Sequence, residues 1–131
     1  MAEFGSAGPT QGVEQSFTFP GDLNNQENDF IPIQYSPITF TVSKLKVVLD
    51  GDGQNPPSGA DVKVDFYKIV LATSAKTLIG RVTVTAGQLV GETTVSPGVQ
   101  IVAGIHGTRA QIVQVGSVNP GHTGTFTASG G

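Results

Sequence analysis

The most regular pattern in the chain lies between residues 38 and 49. Apolar residues occupy every second position, first at even and then at odd numbers: Ile38, Phe40, Val42, Leu45, Val47 and Leu49. A period of two predicts a β-strand with one buried face. The change of parity at Ser43 and Lys44 predicts a β-bulge, or a bend where the strand passes between two packing environments.

A loop and a second alternating segment follow. Residues 50–59, Asp-Gly-Asp-Gly-Gln-Asn-Pro-Pro-Ser-Gly, almost all favour turns. The next segment alternates apolar with charged residues and predicts a strand with its charges outward: Asp61, Val62, Lys63, Val64, Asp65 and Phe66. A helix over the same stretch is the alternative, with Val62, Phe66, Ile69 and Thr73 on one face. The β-branched and aromatic content favours the strand.

The remaining apolar segments are short, and most are bounded by Gly or Pro. They predict strands at residues 16–19, 29–34, 78–85, 91–96, 99–103, 108–115 and 124–128. Short strands at spacings of about ten residues are typical of β-sandwiches and jelly rolls. We therefore expect an all-β fold, an antiparallel β-sandwich resembling a jelly roll, formed by one domain over residues 16–131.

The first fifteen residues do not show this alternation. Residues 1–15 are predicted to form an extended N-terminal arm, and such an arm can become ordered when it binds a neighbouring subunit. The residues predicted to bind a partner through the arm and its anchor are Phe4, Pro9, Val13, Phe17 and Phe19.

Composition excludes several classes of function. Charged residues make up 13% of the chain, the net charge is −3, and there is no cysteine. Seven basic residues spread along the chain cannot neutralise a run of phosphates, so we expect no nucleic-acid partner. No window approaches the roughly 18 uninterrupted apolar residues of a membrane span, so we expect no membrane partner. The N-terminus has no basic start or apolar core, and we expect synthesis in a host cytoplasm.

Catalytic chemistry is not indicated. His106 and His122 both lie in turn-like segments, Gly-Ile-His-Gly and Pro-Gly-His-Thr, and neither has a second metal donor at zinc spacing. We expect both to be exposed loop histidines. There is no nucleotide-binding glycine motif followed by a helix. The expectation is a protein that is not an enzyme, with no catalytic residues, no metal and no cofactor.

Two binding functions need separate consideration. The Asp50-Gly-Asp-Gly53 loop starts like a calcium loop, but it lacks the glycine at position six and the bidentate glutamate, so a plain hairpin loop is favoured. A carbohydrate site would need aromatic platforms, and the chain has no Trp and only Tyr35 and Tyr67. Tyr67 is the better placed of the two, although a structural role on a strand face is favoured for it.

Three segments carry a resemblance to a known group of proteins. They are Pro57-Ser-Gly-Ala-Asp-Val-Lys-Val-Asp65, Ile79-Gly through Thr85-Ala-Gly-Gln88, and Ile112-Val-Gln-Val-Gly-Ser-Val-Asn-Pro-Gly121. Over residues 38 to 128 this order of strands and turns resembles a small β-sandwich module of tailed-bacteriophage virion proteins. The final segment, Thr123-Gly-Thr-Phe-Thr-Ala128, is shorter and more polar than the last strand of the fibre-like versions.

The resemblance implies a structural role without enzymatic activity or cofactor. It implies a location in the virion, and the small size together with a peptide arm suggests a capsid decoration, or cement, protein rather than a fibre tip. The implied partners are the major capsid protein or another virion protein, together with copies of the chain itself, with a trimer expected. The alternatives are a tail, baseplate or fibre-associated module that binds a receptor or carbohydrate, and a tail or neck connector.

Overall fold

The described part of the chain consists of β-strands joined by turns and loops. A computed structural model describes residues 12–23, 31–49 and 56–131. Its strands are β1 Val13–Asp22, β2 Gln34–Tyr35, β3 Phe40–Leu49, β4 Val62–Val70, β5 Lys76–Val84, β6 Val90–Ile101, β7 His106–Gln114 and β8 His122–Gly130. No helix occurs among these residues, and the all-β prediction is confirmed.

The strands form two four-stranded sheets, and every pairing is antiparallel. The first sheet has the order β1-β8-β3-β6, and the second has the order β2-β7-β4-β5. The first strand therefore pairs with the last, the second with the seventh, the third with the sixth and the fourth with the fifth. This nesting is one long hairpin rolled into two sheets, which is the jelly-roll arrangement. The predicted fold class is confirmed.

The parity change in β3 is a β-bulge. Against β8, Val42 pairs with Gly130 and Lys44 with Ser129, so Ser43 is the extra residue. Phe40 and Val42 before the bulge are buried, and so are Leu45, Val47 and Leu49 after it. One inserted residue keeps both halves of the strand facing the core although their numbering parity differs.

The hydrophobic core lies between the two sheets. Its members come from both inner faces and are almost completely buried: Leu23, Ile31, Phe40, Val42, Leu45, Val47, Leu49, Val62, Val64, Phe66, Val82, Val84, Ile101, Ala110, Ile112, Phe126 and Ala128. β-branched side chains predominate, as expected where two pleated surfaces pack together.

The segment after residue 61 is a strand, and the helical alternative for it is wrong. Val62, Val64 and Phe66 face the core, as the alternation predicts. The expectation that all its charges point into solvent needs correction at Asp65, which is buried. The Arg81 guanidinium on β5 donates to both Asp65 carboxylate oxygens, with Nε to Oδ1 at 2.6 Å and Nη2 to Oδ2 at 3.1 Å. These charge-assisted hydrogen bonds from Arg81 replace the hydrogen bonds to water that the Asp65 carboxylate loses when it is buried.

Other boundaries also differ from the prediction. The expected strands at 91–96 and 99–103 are one strand, β6, which continues through Pro97 because β3 pairs with residues on both sides of it. The strand expected at 29–34 is reduced among the described residues to Gln34–Tyr35. Ile38 precedes β3 and is exposed rather than part of its buried face. Most of the 50–59 loop lies outside the described residues.

The N-terminal boundary is placed differently from the predicted arm. Residues 13–15 belong to β1 and pair with β8 as Val13 to Gly130 and Gln15 to Ala128. Residues 1–11 lie outside the part of the chain that the structure describes. The predicted arm of residues 1–15 thus shares its last three residues with the sandwich.

The two long sides of the sandwich differ in how the sheets meet. On the closed side, β5 and β6 are in contact, and the Thr93 hydroxyl donates to the Arg81 carbonyl oxygen at 2.7 Å. On the open side, β1 faces β2, which pairs with β7 only at Gly107 and Thr108. A buried hydrogen bond crosses between the sheets there, from the Thr108 hydroxyl to Gln15 Oε1 at 2.6 Å.

Candidate assembly surfaces

Three loops at one end of the sandwich expose large apolar side chains. The loops join β2 to β3, β4 to β5, and β6 to β7. The exposed residues, which we call the apolar rim, are Tyr35 at 59%, Ile38 at 54%, Leu71 at 36% and Ile105 at 52% of their full accessibility.

Hydrogen bonds hold the three loops of the rim together. The Leu71 amide donates to the Ile105 carbonyl at 2.9 Å. The Ala103 amide donates to the Thr39 hydroxyl at 3.0 Å. Tyr35 pairs with Gly107, directly after the third loop. The rim residues are therefore presented by connected backbone segments of one continuous surface.

The rim is also uncharged. Residues 36–39, 71–75 and 102–105 read Ser-Pro-Ile-Thr, Leu-Ala-Thr-Ser-Ala and Val-Ala-Gly-Ile, without one acidic or basic side chain. Single exposed apolar residues are common on soluble proteins, whereas a group of them without intervening charge is typical of a contact surface. The rim can therefore bind an apolar partner surface by burial.

The rim was not predicted from the sequence. The alternation placed Ile38 on a buried strand face, and neither Leu71 nor Ile105 was singled out as an exposed apolar residue. A usable signal was present, because Ile38 follows Ser36-Pro37 and Ile105 follows Ala103-Gly104. An apolar residue inside a turn-forming segment cannot continue a buried strand face.

A second apolar feature lies at the opposite end, in the loop between β7 and β8. Val118 is 81% exposed, although its backbone is held in place. Its amide donates to the Ser58 carbonyl at 3.0 Å, and Ser58 forms an isolated bridge with Asn119. Gly116 is needed here because a Cβ would lie 1.9 Å from the Asn119 carbonyl oxygen.

The residues predicted to bind a partner fall into two groups. Phe4 and Pro9 lie outside the described residues. Val13, Phe17 and Phe19 alternate along the inner face of β1 and pack, partly buried, against the hydrophobic core. Their placement explains how β1 is held to the sandwich, and their predicted contact with a partner stays a prediction.

The two histidines are not exposed loop residues, which corrects the expectation for both. His106 and His122 are the first residues of β7 and β8, and both are half-buried. His106 Nδ1 accepts the Val102 amide hydrogen at 3.0 Å. Burial, and to a smaller extent the charge of Lys68, lower the pKa of His106. His122 Nδ1 lies 2.9 Å from the Thr123 hydroxyl.

The described residues contain no arrangement suited to a metal or an enclosed ligand. Asp50 and Asp52 lie outside them, and Asp61 Oδ1 accepts the Ala86 amide hydrogen at 2.8 Å. No group of three metal-ligating side chains occurs in residues 12–23, 31–49 and 56–131. The same residues form no pocket and no helix that could span a membrane.

Tyr35, and not Tyr67, is the tyrosine that is accessible to a carbohydrate. Tyr67 on β4 is half-buried, and the Lys76 ammonium lies 4.6 Å from the centre of its ring. Tyr35 is the exposed one and belongs to the apolar rim. The available aromatic surface is therefore beside the β2–β3 loop rather than on β4.

Comparison with known proteins finds one weak structural similarity. No protein-family model and no curated protein matches the chain. Among solved structures, it is similar to the protein in the cryo-EM structure of a virus-like particle of the extra small virus of the giant freshwater prawn Macrobrachium rosenbergii. The similarity has 11% sequence identity and a TM-score of 0.32, over 98% of this chain and 85% of that chain. A likeness of this size carries no argument about function, and the resemblance to tailed-bacteriophage proteins has no family match to support it.

Proposed function

We propose that this protein is a non-enzymatic structural component of a virus particle. Double-sheet jelly rolls of eight strands serve as viral capsid domains, lectins and cupins, so the topology alone allows several functions. The observation that carries the proposal is the apolar rim, which is a surface for contact with another protein. A shell subunit or shell-binding protein needs such surfaces and needs no enclosed site.

The other two uses of the fold have less support. A cupin holds its metal with clustered donor side chains, whereas His106 bonds its own loop at Val102, and no three-donor group occurs in the described ranges. A lectin needs an aromatic platform or a pocket. The described surface has no pocket, and Tyr35 is the strongly exposed aromatic side chain among the described residues.

The more specific proposal is a capsid decoration, or cement, protein that binds the major capsid protein and copies of itself. In this role the apolar rim lies against a shell subunit, and the residues before β1 extend onto a neighbour. An extended segment adds contact area and effective concentration to a small body. A trimer remains the expected assembly on the shell.

The test is cosedimentation of the purified protein with capsids stripped of their small proteins. Retained binding to the shell is expected for the wild type. Ile38→Thr combined with Ile105→Thr should weaken binding by at least about tenfold, because two exposed apolar side chains are lost from the contact. Leu78→Thr is the matched control, since Leu78 is 53% exposed on β5 outside the rim. Equal binding by rim and control variants would refute the rim's role.

The arm is tested by a deletion that spares the sandwich. Removing residues 2–11 leaves β1 complete, because β1 begins at Val13. We expect weaker attachment to capsids with an unchanged melting temperature. Undiminished attachment would show that the arm has no part in binding.

Carbohydrate binding is the second candidate, and the exposure of Tyr35 is the observation that favours it. A sugar ring could stack on Tyr35 beside the loop at residues 104–105. A glycan array probed with wild type and Tyr35→Ala separates the two functions. Glycan signals lost in Tyr35→Ala would favour the receptor-binding role, and a blank array at high protein concentration would exclude it.

A further inference from the structure

β1 is a long edge strand of the first sheet. It contains ten residues, Val13–Asp22, and pairs with β8 on one side. Within the described ranges, no strand pairs with its other side. An edge strand presents unpaired amide and carbonyl groups that can accept a further strand.

The other edges of the sandwich are less suited to accepting a strand. β6 contains Pro97, which has no amide hydrogen to donate. β5 is in contact with β6 through the hydrogen bond from Thr93 to Arg81. β2 has only two residues. Among the described strands, β1 therefore offers an edge from Val13 to Phe19 that contains no proline and is not in contact with an edge strand as long as itself.

The side chains of β1 are also incompletely covered. Val13, Phe17 and Phe19 point inward but are only partly buried, because the facing strand β2 is so short. A strand added beside β1 would extend the first sheet over the open side. Its inward side chains would lie next to these residues and cover apolar surface that the single chain leaves accessible.

We propose that the partner at this edge is β1 of a second copy, paired antiparallel across a two-fold axis at Ser16. Regular pairing of β1 with β8 ends at Phe19, where the register shifts, and Pro20 cannot donate. An axis at Ser16 pairs every residue of the regular part, Val13–Phe19, with a residue of the partner's regular part.

The charges of β1 agree with this register. Glu14 and Asp22 are the charged residues of the strand. An axis at Thr18 would place Glu14 opposite the second copy's Asp22, and like charges directly opposite are destabilising. An axis at Ser16 places Glu14 opposite Thr18. On the inner face it places Val13 opposite Phe19, which is an apolar pair.

Cysteine crosslinking tests both the contact and the register, because the chain has no cysteine of its own. Ser16 is exposed on the outer face of β1. Residues directly opposite in an antiparallel pair have Cα atoms roughly 4.5–5.5 Å apart, which a disulfide can span. Purified Ser16→Cys should therefore form a covalent dimer under mild oxidation.

Two controls define the expected specificity. Thr127→Cys lies opposite Ser16 on β8, one strand away from the edge, and should not crosslink. Thr18→Cys should not crosslink with itself, but a mixture of Glu14→Cys and Thr18→Cys proteins should. This mixture also tests the contact if the Ser16 variant folds poorly. Crosslinking of Thr18→Cys with itself would overturn the register, and crosslinking of Thr127→Cys equal to that of Ser16→Cys would overturn the contact.

Sedimentation equilibrium of the cysteine-free protein completes the test. The wild type should show a concentration-dependent dimer, Ser16→Lys should be monomeric, and Thr127→Lys should behave like the wild type. A wild type that stays monomeric at millimolar concentration would refute the inference. The measurement uses no capsid, so its failure is distinct from failure of the virion role, and the two-fold contact is separate from the contacts of the trimer proposed on the shell.

Discussion

The two sheets contact each other differently along the closed and the open side of the sandwich. On the closed side, Gly91 of β6 lies so near β5 that a Cβ would be 2.4 Å from the Thr83 carbonyl oxygen. On the open side, Gln15 Oε1 accepts the hydrogen bond from the Thr108 hydroxyl, while its buried amide nitrogen Nε2 has no hydrogen-bond partner among the described residues. On the closed side, the backbones of β5 and β6 are in direct contact. On the open side, the sheets are joined by a hydrogen bond to a side chain that is only partly satisfied.

We infer from this difference that the closed side serves the stability of the fold and that the open side serves association with a partner. On the closed side, β6 packs directly against β5 at Gly91. The open side leaves apolar side chains of β1 partly accessible, and an added strand can cover them. We therefore expect substitutions on the closed side and in the core to affect folding, and substitutions on the open side to affect folding less.

The largest expected effect compares two phenylalanines that lie directly opposite each other. Phe126 on β8 is 2% exposed, and its partner Phe17 on β1 is only partly buried. Phe126→Ala should lower the free energy of unfolding by about 3–5 kcal/mol, as a large cavity in a packed core does. Phe17→Ala should lower it by about 1–2 kcal/mol, because less apolar area is lost. Urea denaturation measures both, and equal losses would contradict the difference between the core and the open side.

The next effect concerns the backbone approach on the closed side. Gly91→Ala should lower the free energy of unfolding by about 1–3 kcal/mol, because β5 and β6 must move apart. Gly12→Ala is the control beside β1, where a Cβ would lie at an ordinary 3.7 Å from the Gly130 carbonyl oxygen. Thermal unfolding of both variants checks this, and a melting temperature of Gly91→Ala as high as that of the control would show that the closed side tolerates a wider separation.

A smaller effect is expected at the polar contact on the open side. Thr108→Val should lower the free energy of unfolding by about 1–2 kcal/mol, because it leaves both polar groups of Gln15 without a protein partner. Adding Gln15→Met should recover most of this loss, since it removes the buried amide altogether. Chemical denaturation of the single and double variants measures the recovery. A double variant less stable than Thr108→Val would show that Gln15 stabilises the open side by packing.

The smallest effect is a pH dependence at the start of β7, where β7 meets the short strand β2. The pKa of His106 is lowered by burial and by Lys68, so the folded protein binds a proton less readily than the unfolded chain, whose histidine pKa is about 6.5. Its contribution to stability is present above about pH 6.5 and is lost as the pH falls through the lower folded pKa. Protonation also removes the acceptor for the Val102 amide.

Unfolding free energies measured from pH 7 to pH 5 test this assignment. The free energy of unfolding should fall less between pH 7 and pH 5 in His106→Gln than in the wild type. Lys68→Gln should reduce this fall only in part, because burial is the larger cause of the lowered pKa. An identical pH dependence in wild type and His106→Gln would remove the histidine from the explanation.

The sequence by itself determined where the chain is extended. Side chains of a strand alternate between its faces for local steric reasons, so period-two patterns located β3 and β4 and even the bulge at Ser43. It also predicted a strand at residues 16–19, which lies within β1. Strand alternation and the bulge depend on residues that are close together in the chain, so a single sequence is enough to predict them.

Tertiary structure decided which strands pair and which surfaces stay exposed. The nested pairing of β1 with β8, or of β3 with β6, joins residues far apart in the chain and has no local signature. Asp65 is buried because β5 brings Arg81 beside it. Ile38 is exposed because β3 begins only at Phe40 and the rim loops meet at that end. Exposure and edges are properties of the assembled sheets, so the apolar rim and the open edge of β1 became visible only in three dimensions.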